Sequence, residues 1–486
     1  MAKFGGLFAR QPLAWTTPEG DGPSLRRTLG WPALTAIGLG TMLGGIFPTI
    51  GAGAHAAGPG VVLAYVISGL VSVCVAFCYA EFASMVPVAG SAYTYAYATL
   101  GELVAWIIGW DLILEYGLSV APTASSWSDY LQHLLGDFGV HFPAWAQTAS
   151  IFADHPSWAA PFSSHPNVDV PAALVTLAIT ALVAVGIRES ANVNATLVVV
   201  QIVAMVAFIA ATAHAIHPAN LHPFAPFGFK GILAGTALVF YAYIGFDTVT
   251  VAAEEANNPQ RDVPIGIILA LVVGLLLYVV LALCTVGTLS YAKLSDGAAM
   301  LDSLHAVTSN RYLYWVVAFG GIAGNTTVML TSLLGQIRIF YVMARDRMLP
   351  PGVARIHPRF RTPARMTVIT GGIVAVLAAT LPLSELLDFV NIGTLSAFAI
   401  VCAGVLVLRF VEPDAPRPFR APIAPILTVL GAVGCIALIG NLSVPTWIRF
   451  GVWFLVGIAV YALYGYRNSR LRGLHLPPFP DPDASK

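Results

Sequence analysis

Long uncharged apolar runs constrain this chain more than any other feature of it. Residues 61–77 and 263–289 contain no Asp, Glu, Lys or Arg, and each run is close to the ~20 residues a helix needs to cross the ~30 Å hydrocarbon core of a bilayer. The texture persists along the chain: of 486 residues, 57% are hydrophobic and 10% charged, against roughly 25% charged in soluble domains. A soluble core has too little interior to hide that much apolar surface, so lipid is the solvent that fits. Apolar stretches near 32–57, 60–84, 101–126, 170–187, 192–216, 229–256, 263–290, 312–345, 366–382, 385–410, 423–443 and 447–466 predict twelve spanning helices and an all-α integral membrane protein.

Charge orients the spans. With both termini cytoplasmic, all of the 24 Lys and Arg except Lys230, Lys293, Arg311 and Arg449 lie on the cytoplasmic side, as the positive-inside rule requires. The expectation is a multi-pass protein of the inner membrane with cytoplasmic tails at 1–31 and 467–486. Residues 1–27 lack the apolar stretch of a cleaved signal peptide. The arginines at 345, 347, 355, 359, 361 and 365 read as an orientation signal beside anionic lipid, not as a nucleic-acid surface.

The five cysteines, Cys74, Cys78, Cys284, Cys402 and Cys435, all sit in apolar stretches and read as small packing residues. No nucleophile–base pair or metal-spaced cluster stands out, so neither an enzyme, a cofactor nor a metal is expected. Two loops carry further expectations. Residues 127–169 form a long external segment with Asp129, Asp137, Asp154, Asp169 and no Lys or Arg; its start, 127–138, predicts a helix lying along the interface. Residues 85–100, tyrosine-rich and holding Pro87 and Gly90, predict a cytoplasmic surface strip between two spans.

The first span carries Gly38, Gly40, Gly44 and Gly45 at mid-membrane, although each Gly costs about 1 kcal/mol relative to Ala inside a helix. Unwinding there frees backbone N–H groups that can hold a carboxylate; close packing through small residues is the alternative. The sixth span carries Phe240-Tyr241-Ala242-Tyr243-Ile244-Gly245-Phe246-Asp247, an aromatic-flanked glycine with an acid, and predicts a second break whose carbonyls could take an ammonium. Two broken helices five spans apart are the pattern of a five-plus-five inverted repeat with its site at the midplane. The repeats are expected at 32–216 and 229–410, with 423–466 as two peripheral helices.

Several passages resemble the cationic amino acid transporter family of the amino acid–polyamine–organocation superfamily. These are Ala80-Glu81-Phe82 through Met85-Val86-Pro87, Ala89-Gly90-Ser91-Ala92-Tyr93-Thr94-Tyr95-Ala96-Tyr97, Gly109-Trp110-Asp111-Leu112-Ile113-Leu114-Glu115-Tyr116, the sixth-span motif, and Gln336-Ile337-Arg338 with Arg345-Asp346. The likeness runs from about Leu25 to Phe410. It implies a LeuT-like fold holding an amino acid between spans 1 and 6: the carboxylate at Gly44, Gly45 and Ile46 with Thr41 and Met42 adjoining, the ammonium at carbonyls near Phe240, Tyr241, Ala242 and Ile244. Glu115 would form one wall, with Asn325, Thr326 or Thr327 on another.

Two departures from the family pattern stand out. Similar permeases place one residue between the last two glycines of the first span, whereas Gly45 follows Gly44 directly here. Gln201 stands where proton-coupled bacterial relatives carry a lysine, after Asn194 and Val198, and glutamine does not titrate. Glu115, one turn beyond Asp111, is expected to recognise a cation or accept a proton, with a structural hydrogen-bonded pair as the alternative. Glu81, Asp247, Glu254 and Glu255 are expected near cytoplasmic helix ends, pairing with Arg188, Arg261 or Arg338 as an inner gate or a static bridge. The function expected is transport of cationic or small neutral amino acids by alternating access. A polyamine or amine transporter and a transporter-like amino acid sensor stay open, as do a coupling proton and a small single-span subunit beside the lipid and the substrate.

Overall fold

A computed structural model of the protein describes residue 9 and residues 29–85, 91–157, 160–162, 166–186, 191–251, 253–358, 360 and 362–471. Eight helical stretches are long and apolar enough to cross a membrane; Trp31–Met85 holds two passes, and the shorter apolar helices Val170–Val185, Ala364–Thr380 and Ala424–Ile439 complete twelve. Apart from two short antiparallel strands, β1 (Phe152–Ser157) and β2 (Ala160–Phe162), the described regular structure is helical. Helices suit this environment because they satisfy their own backbone groups where no water can.

The first pass consists of α1 (Trp31–Met42), a single 3₁₀ turn (Leu43–Gly45) and α2 (Ile46–Ala57). Next come α3 (Val61–Met85), α4 (Ser91–Thr99), α5 (Glu102–Leu118) and α6 (Val120–Gly136). Then follow α7 (Val170–Val185), α8 (Ala191–Thr212), α9 (Gly228–Val239), a 3₁₀ turn (Phe240–Tyr243) and the short α10 (Thr248–Val251). The remainder is α11 (Pro259–Thr288), α12 (Ala299–Val307), α13 (Arg311–Arg345), α14 (Ala364–Thr380), α15 (Leu383–Val411), α16 (Ala424–Ile439) and α17 (Val444–Val460).

Packing sorts these helices into two bodies. In one, α3 lies along α11, α11 along α1, and α2 along α9; in the other, α13 lies along α8, α6 and α5, and α14 along α7. The bodies meet where side chains vanish. A Cβ on Gly44 would sit 2.7 Å from the Gly324 carbonyl oxygen of α13, and one on Gly45 would sit 2.8 Å from Ala242 Cα. The glycine pair therefore lets the backbones of passes 1, 6 and 8 touch at mid-membrane.

The structure corrects three local expectations. Residues 91–99 are not a surface strip: α4 buries Tyr93, Tyr95 and Tyr97 to 1% exposure or less, and Tyr93 donates to Asp346 at 3.0 Å. Residues 127–136 do not lie along the interface, because Ser119 keeps right-handed helical dihedrals and α6 continues α5 as one rod packed on α13 and α7. Glu81 does not reach Arg261 or Arg338. Its carboxylate accepts from the Arg409 guanidinium, faces Arg417 Nε at 3.5 Å and accepts from Ala421 N–H at 3.0 Å. It ties α3 to the end of α15 and the turn beyond; Arg188 itself lies outside the described residues.

Breaking a buried pair leaves an uncompensated charge, at a cost of roughly 3–5 kcal/mol. Glu81→Ala is therefore expected to lower the unfolding temperature of detergent-solubilised protein sharply, read by intrinsic fluorescence, whereas Glu385→Ala at the half-buried Arg449 pair lowers it little.

Candidate functional site

The sixth pass is broken in earnest. After the 3₁₀ turn, Ile244 turns extended (φ −66°, ψ 138°) and Gly245 adopts φ 113°, a region that side-chain-bearing residues avoid. The first pass is not broken to the same degree. Gly45 and Ile46 keep right-handed helical dihedrals, so the glycines give one tightened turn. The adjacent Gly44 and Gly45 leave no spare residue to loop out, and the wide carboxylate nest expected from the sequence is reduced to the N-terminal end of α2.

Three polar ties lock the two passes together. Thr41 Oγ1 lies 2.9 Å from the Gly245 carbonyl oxygen and 2.9 Å from Thr248 Oγ1. Thr248 Oγ1 donates to the Gly245 carbonyl at 2.6 Å. Tyr278 of α11 points its hydroxyl between the carbonyl oxygens of Met42 (2.6 Å) and Ala242 (2.9 Å). These groups satisfy carbonyls that the helical interruptions release.

Beside this junction lies a cavity of ≈ 30 Å³. Its lining is Thr41 and Gly45 from pass 1, Tyr241, Ile244, Gly245 and Thr248 from pass 6, Tyr116 and Ser119 from pass 3, and Val328, Thr331 and Ser332 from pass 8. A water needs about 10–15 Å³ measured this way, so the space admits about two waters and no amino acid. The protein is closed around its site.

Of the residues singled out from the sequence, Thr41, Gly45, Tyr241 and Ile244 line this cavity. Met42, Gly44, Ile46, Phe240 and Ala242 belong to the two interruptions without lining it. Asn325 shares a helix face with Val328 and Ser332 but sits too far along α13, where its amide donates to Ser126 Oγ at 3.1 Å. Thr326 returns its hydroxyl to the Ile322 carbonyl at 2.7 Å. Tyr116, Ser119, Thr248, Tyr278, Thr331 and Ser332 were missed: helical phase places residues on a face, not at a depth, and a tyrosine reaching across from another helix leaves no local mark.

The acids are deep. Glu115 is fully buried, Asp111 is 1% exposed, and neither carboxyl has a hydrogen-bond partner among the described residues; the bonded Asp111–Glu115 pair does not form. Glu115 is within electrostatic reach of Asp247 and of the Thr394 hydroxyl. Asp247 accepts from the hydroxyl of Tyr116, a cavity-lining residue, at 2.6 Å. Gln201 is fully buried beside Gly324, its amide without a partner among the described residues. The end of the molecule that holds Leu29 is tied through backbone: Leu29 N–H donates to the Glu255 carbonyl (3.0 Å) and Asn257 N–H to the Leu29 carbonyl (2.8 Å). The Glu254 side chain lies outside the described residues.

Known membrane carriers resemble this chain along most of its length. A sequence model described as amino acid permease matches residues 29–464. The branched-chain amino acid permease BcaP of Bacillus subtilis is 42% identical over 92% of this chain and 95% of its own. The methylthioribose transporter of the same organism is 40% identical over 96% of this chain and 99% of its own, and human cationic amino acid transporter 4 is 36% identical over 84% and 64%.

Alanine at φ 113° adds strain of about 1–3 kcal/mol and presses on Thr41, 3.3 Å from the new Cβ. Gly245→Ala is expected to lower proteoliposome uptake about tenfold or more while the reconstituted amount stays near that of the parent; unchanged uptake would show that this kink is not needed for transport.

Proposed function

The chain belongs to the amino acid permease family, and within it we propose a carrier of neutral amino acids that works by alternating access in the cytoplasmic membrane, with both termini in the cytoplasm. The observation that carries the reading is the cavity wall. The space is lined by Thr41, Tyr116, Ser119, Tyr241, Thr248, Thr331 and Ser332 with Gly45, Ile244, Gly245 and Val328; its exposed surface is mainly apolar, and no charged side chain lines it among the described residues. Such a wall suits an uncharged side chain, because a cationic one would need a carboxylate within reach in a medium where unpaired charge is expensive.

The substrate carboxylate would meet the start of α2 at Gly44–Ile46, and its ammonium the carbonyls of Phe240–Ile244, as in other half-helix sites. Substrate entry between passes 1 and 6 requires the Thr41–Gly245 contact to part, and access from either side requires the body holding α1, α2, α3, α9 and α11 to move against the one holding α5, α6, α8 and α13, which it meets at Gly44 and Gly324. The repeats at 32–216 and 229–410 supply the symmetry for that motion. The branched-chain permease among the relatives is in keeping with a neutral substrate.

Coupling belongs to the same proposal. With Gln201 unable to titrate, the deep carboxyls of Asp111, Glu115 and Asp247 are the groups that can carry a proton, and Glu115, within electrostatic reach of both aspartates, is the one this proposal assigns. The same acids favour a second reading, a cationic substrate whose side chain passes Tyr116 to reach Asp247 and Glu115.

Uptake of labelled leucine, alanine, arginine and an amine without a carboxylate into proteoliposomes, at one fixed external pH with and without an inward proton gradient set by the internal pH, separates the readings. Saturable leucine or alanine uptake accelerated by the gradient is expected, with arginine at least about tenfold weaker, the loss set by one unpaired buried charge. Preference for arginine would replace the neutral reading by the cationic one. Glu115→Gln is expected to abolish the acceleration while substrate counterflow persists; retained acceleration would assign the proton elsewhere.

A further inference from the structure

At the end of the molecule opposite the Leu29–Glu255 pairing, two histidines grip one connecting segment from two sides. The segment, residues 289–307, runs from the end of α11 through α12. His55, in the last turn of α2, places Nδ1 3.0 Å from Asp296 Oδ1 and Nε2 2.9 Å from the Leu294 carbonyl oxygen. His133, in the last turn of α6, places Nε2 3.3 Å from Asp302 Oδ1 and Nδ1 2.8 Å from the Asp129 carbonyl oxygen. Every one of these four partners is an acceptor. A neutral imidazole has a single N–H and an imidazolium has two, so both clasps are complete only when both rings are charged.

The two histidines belong to different bodies, since α2 packs with α9 and α6 with α13. The segment spans the join between them. The carbonyls of Ser295 and Asp296 lie against Gly51 of α2, while Ser126 of α6 donates to the Gly297 carbonyl at 2.7 Å. Asp302 also accepts from Ser295 N–H at 2.6 Å. Burial works against its charge, yet hydrogen bonds from His133 and Ser295 hold the Asp302 carboxyl below its ordinary value. Under the segment lies a cavity of ≈ 550 Å³ that includes Ser125, Asp129, His133, His141, Asp169 and Asp296.

We propose that His55 and His133 form a latch that proton loss weakens: charged, they hold residues 289–307 across the outer mouth; neutral, His55 keeps only one of its two contacts to the segment and His133 has one N–H for both Asp302 and the Asp129 carbonyl of its own helix, so the segment loosens and the bodies can part. The proposal rests on the alternating-access reading and on this end being external. Other charged or titratable groups face the same region. The Asp129 carboxyl lies against Gly297 of the segment, within electrostatic reach of His133, Asp169 and Asp296; burial pushes the Asp169 carboxyl up to about 7; Lys293 and His305 line the neighbouring cleft; Arg311 is engaged by Asp137 at 2.7 Å.

The test is labelling of Ser125→Cys by a membrane-impermeant maleimide in right-side-out proteoliposomes. Ser125 is buried and its hydroxyl has no partner among the described residues, so the change costs no hydrogen bond. Rates are divided by those of exposed Ser309→Cys, which cancels the reagent's own pH dependence. Between about pH 5.5 and about pH 8.5, either side of the ordinary imidazole value near 6.5, the ratio is expected to rise about fivefold or more. In His55→Gln/His133→Gln it should be high at both ends, and Asp296→Asn should lie between, giving a second route should the double variant fail to fold. A ratio that does not change with pH in the parent, or a pH rise that survives in the double variant, would overturn the latch. Failure of Ser309→Cys to label from outside would instead overturn the orientation.

Discussion

The hydroxyl of Tyr278 holds together the part of this molecule on which everything else depends. Backbone carbonyls released inside a bilayer must find a donor, and this one side chain stands between those of Met42 and Ala242, one from each interrupted pass. Thr41 and Thr248 do the same for Gly245. The interruptions are therefore satisfied from within the protein: Thr41 of pass 1 meets the Gly245 carbonyl of pass 6, and α11 supplies the hydroxyl between the other two carbonyls. A substrate with an ammonium and a carboxylate offers the same donors and acceptors, which is the physical reason such a junction can exchange an internal contact for a ligand.

The shortened glycine run acts on this junction directly. Without a residue between Gly44 and Gly45, pass 1 keeps helical dihedrals through the turn, and the burden of irregularity falls on pass 6, where Gly245 takes φ 113°. The cavity at this junction is small, mainly apolar in surface and without a charged lining residue among the described ones, and Asp247 stands one layer back on the Tyr116 hydroxyl. That layering separates a neutral binding surface from a deep carboxyl group available for a proton, in the manner expected of intramembrane acids that serve ion pathways.

The sequence carried the spans, the LeuT-like arrangement and the neighbourhood of the site, because length, hydropathy and glycine clusters are local properties. It placed Thr41, Gly45, Tyr241 and Ile244 where the cavity is. What it could not carry was depth and partnership. Asn325 and Ser332 lie on one face of α13, and only tertiary packing decides that the second lines the cavity while the first bonds Ser126. Glu81 found Arg409 and Arg417, more than 300 residues away in the chain, and α4 was misjudged because its tyrosines look polar in sequence yet bury their rings.

The central claim is that this junction opens to take a neutral amino acid in place of its own internal hydrogen bonds. A structure determined with leucine bound tests it most directly. The account predicts the carboxylate at the start of α2, the ammonium at the carbonyls of Phe240–Ile244, and the Thr41–Gly245 contact lengthened well beyond its present 2.9 Å. Leucine bound elsewhere, with that contact intact, would contradict it.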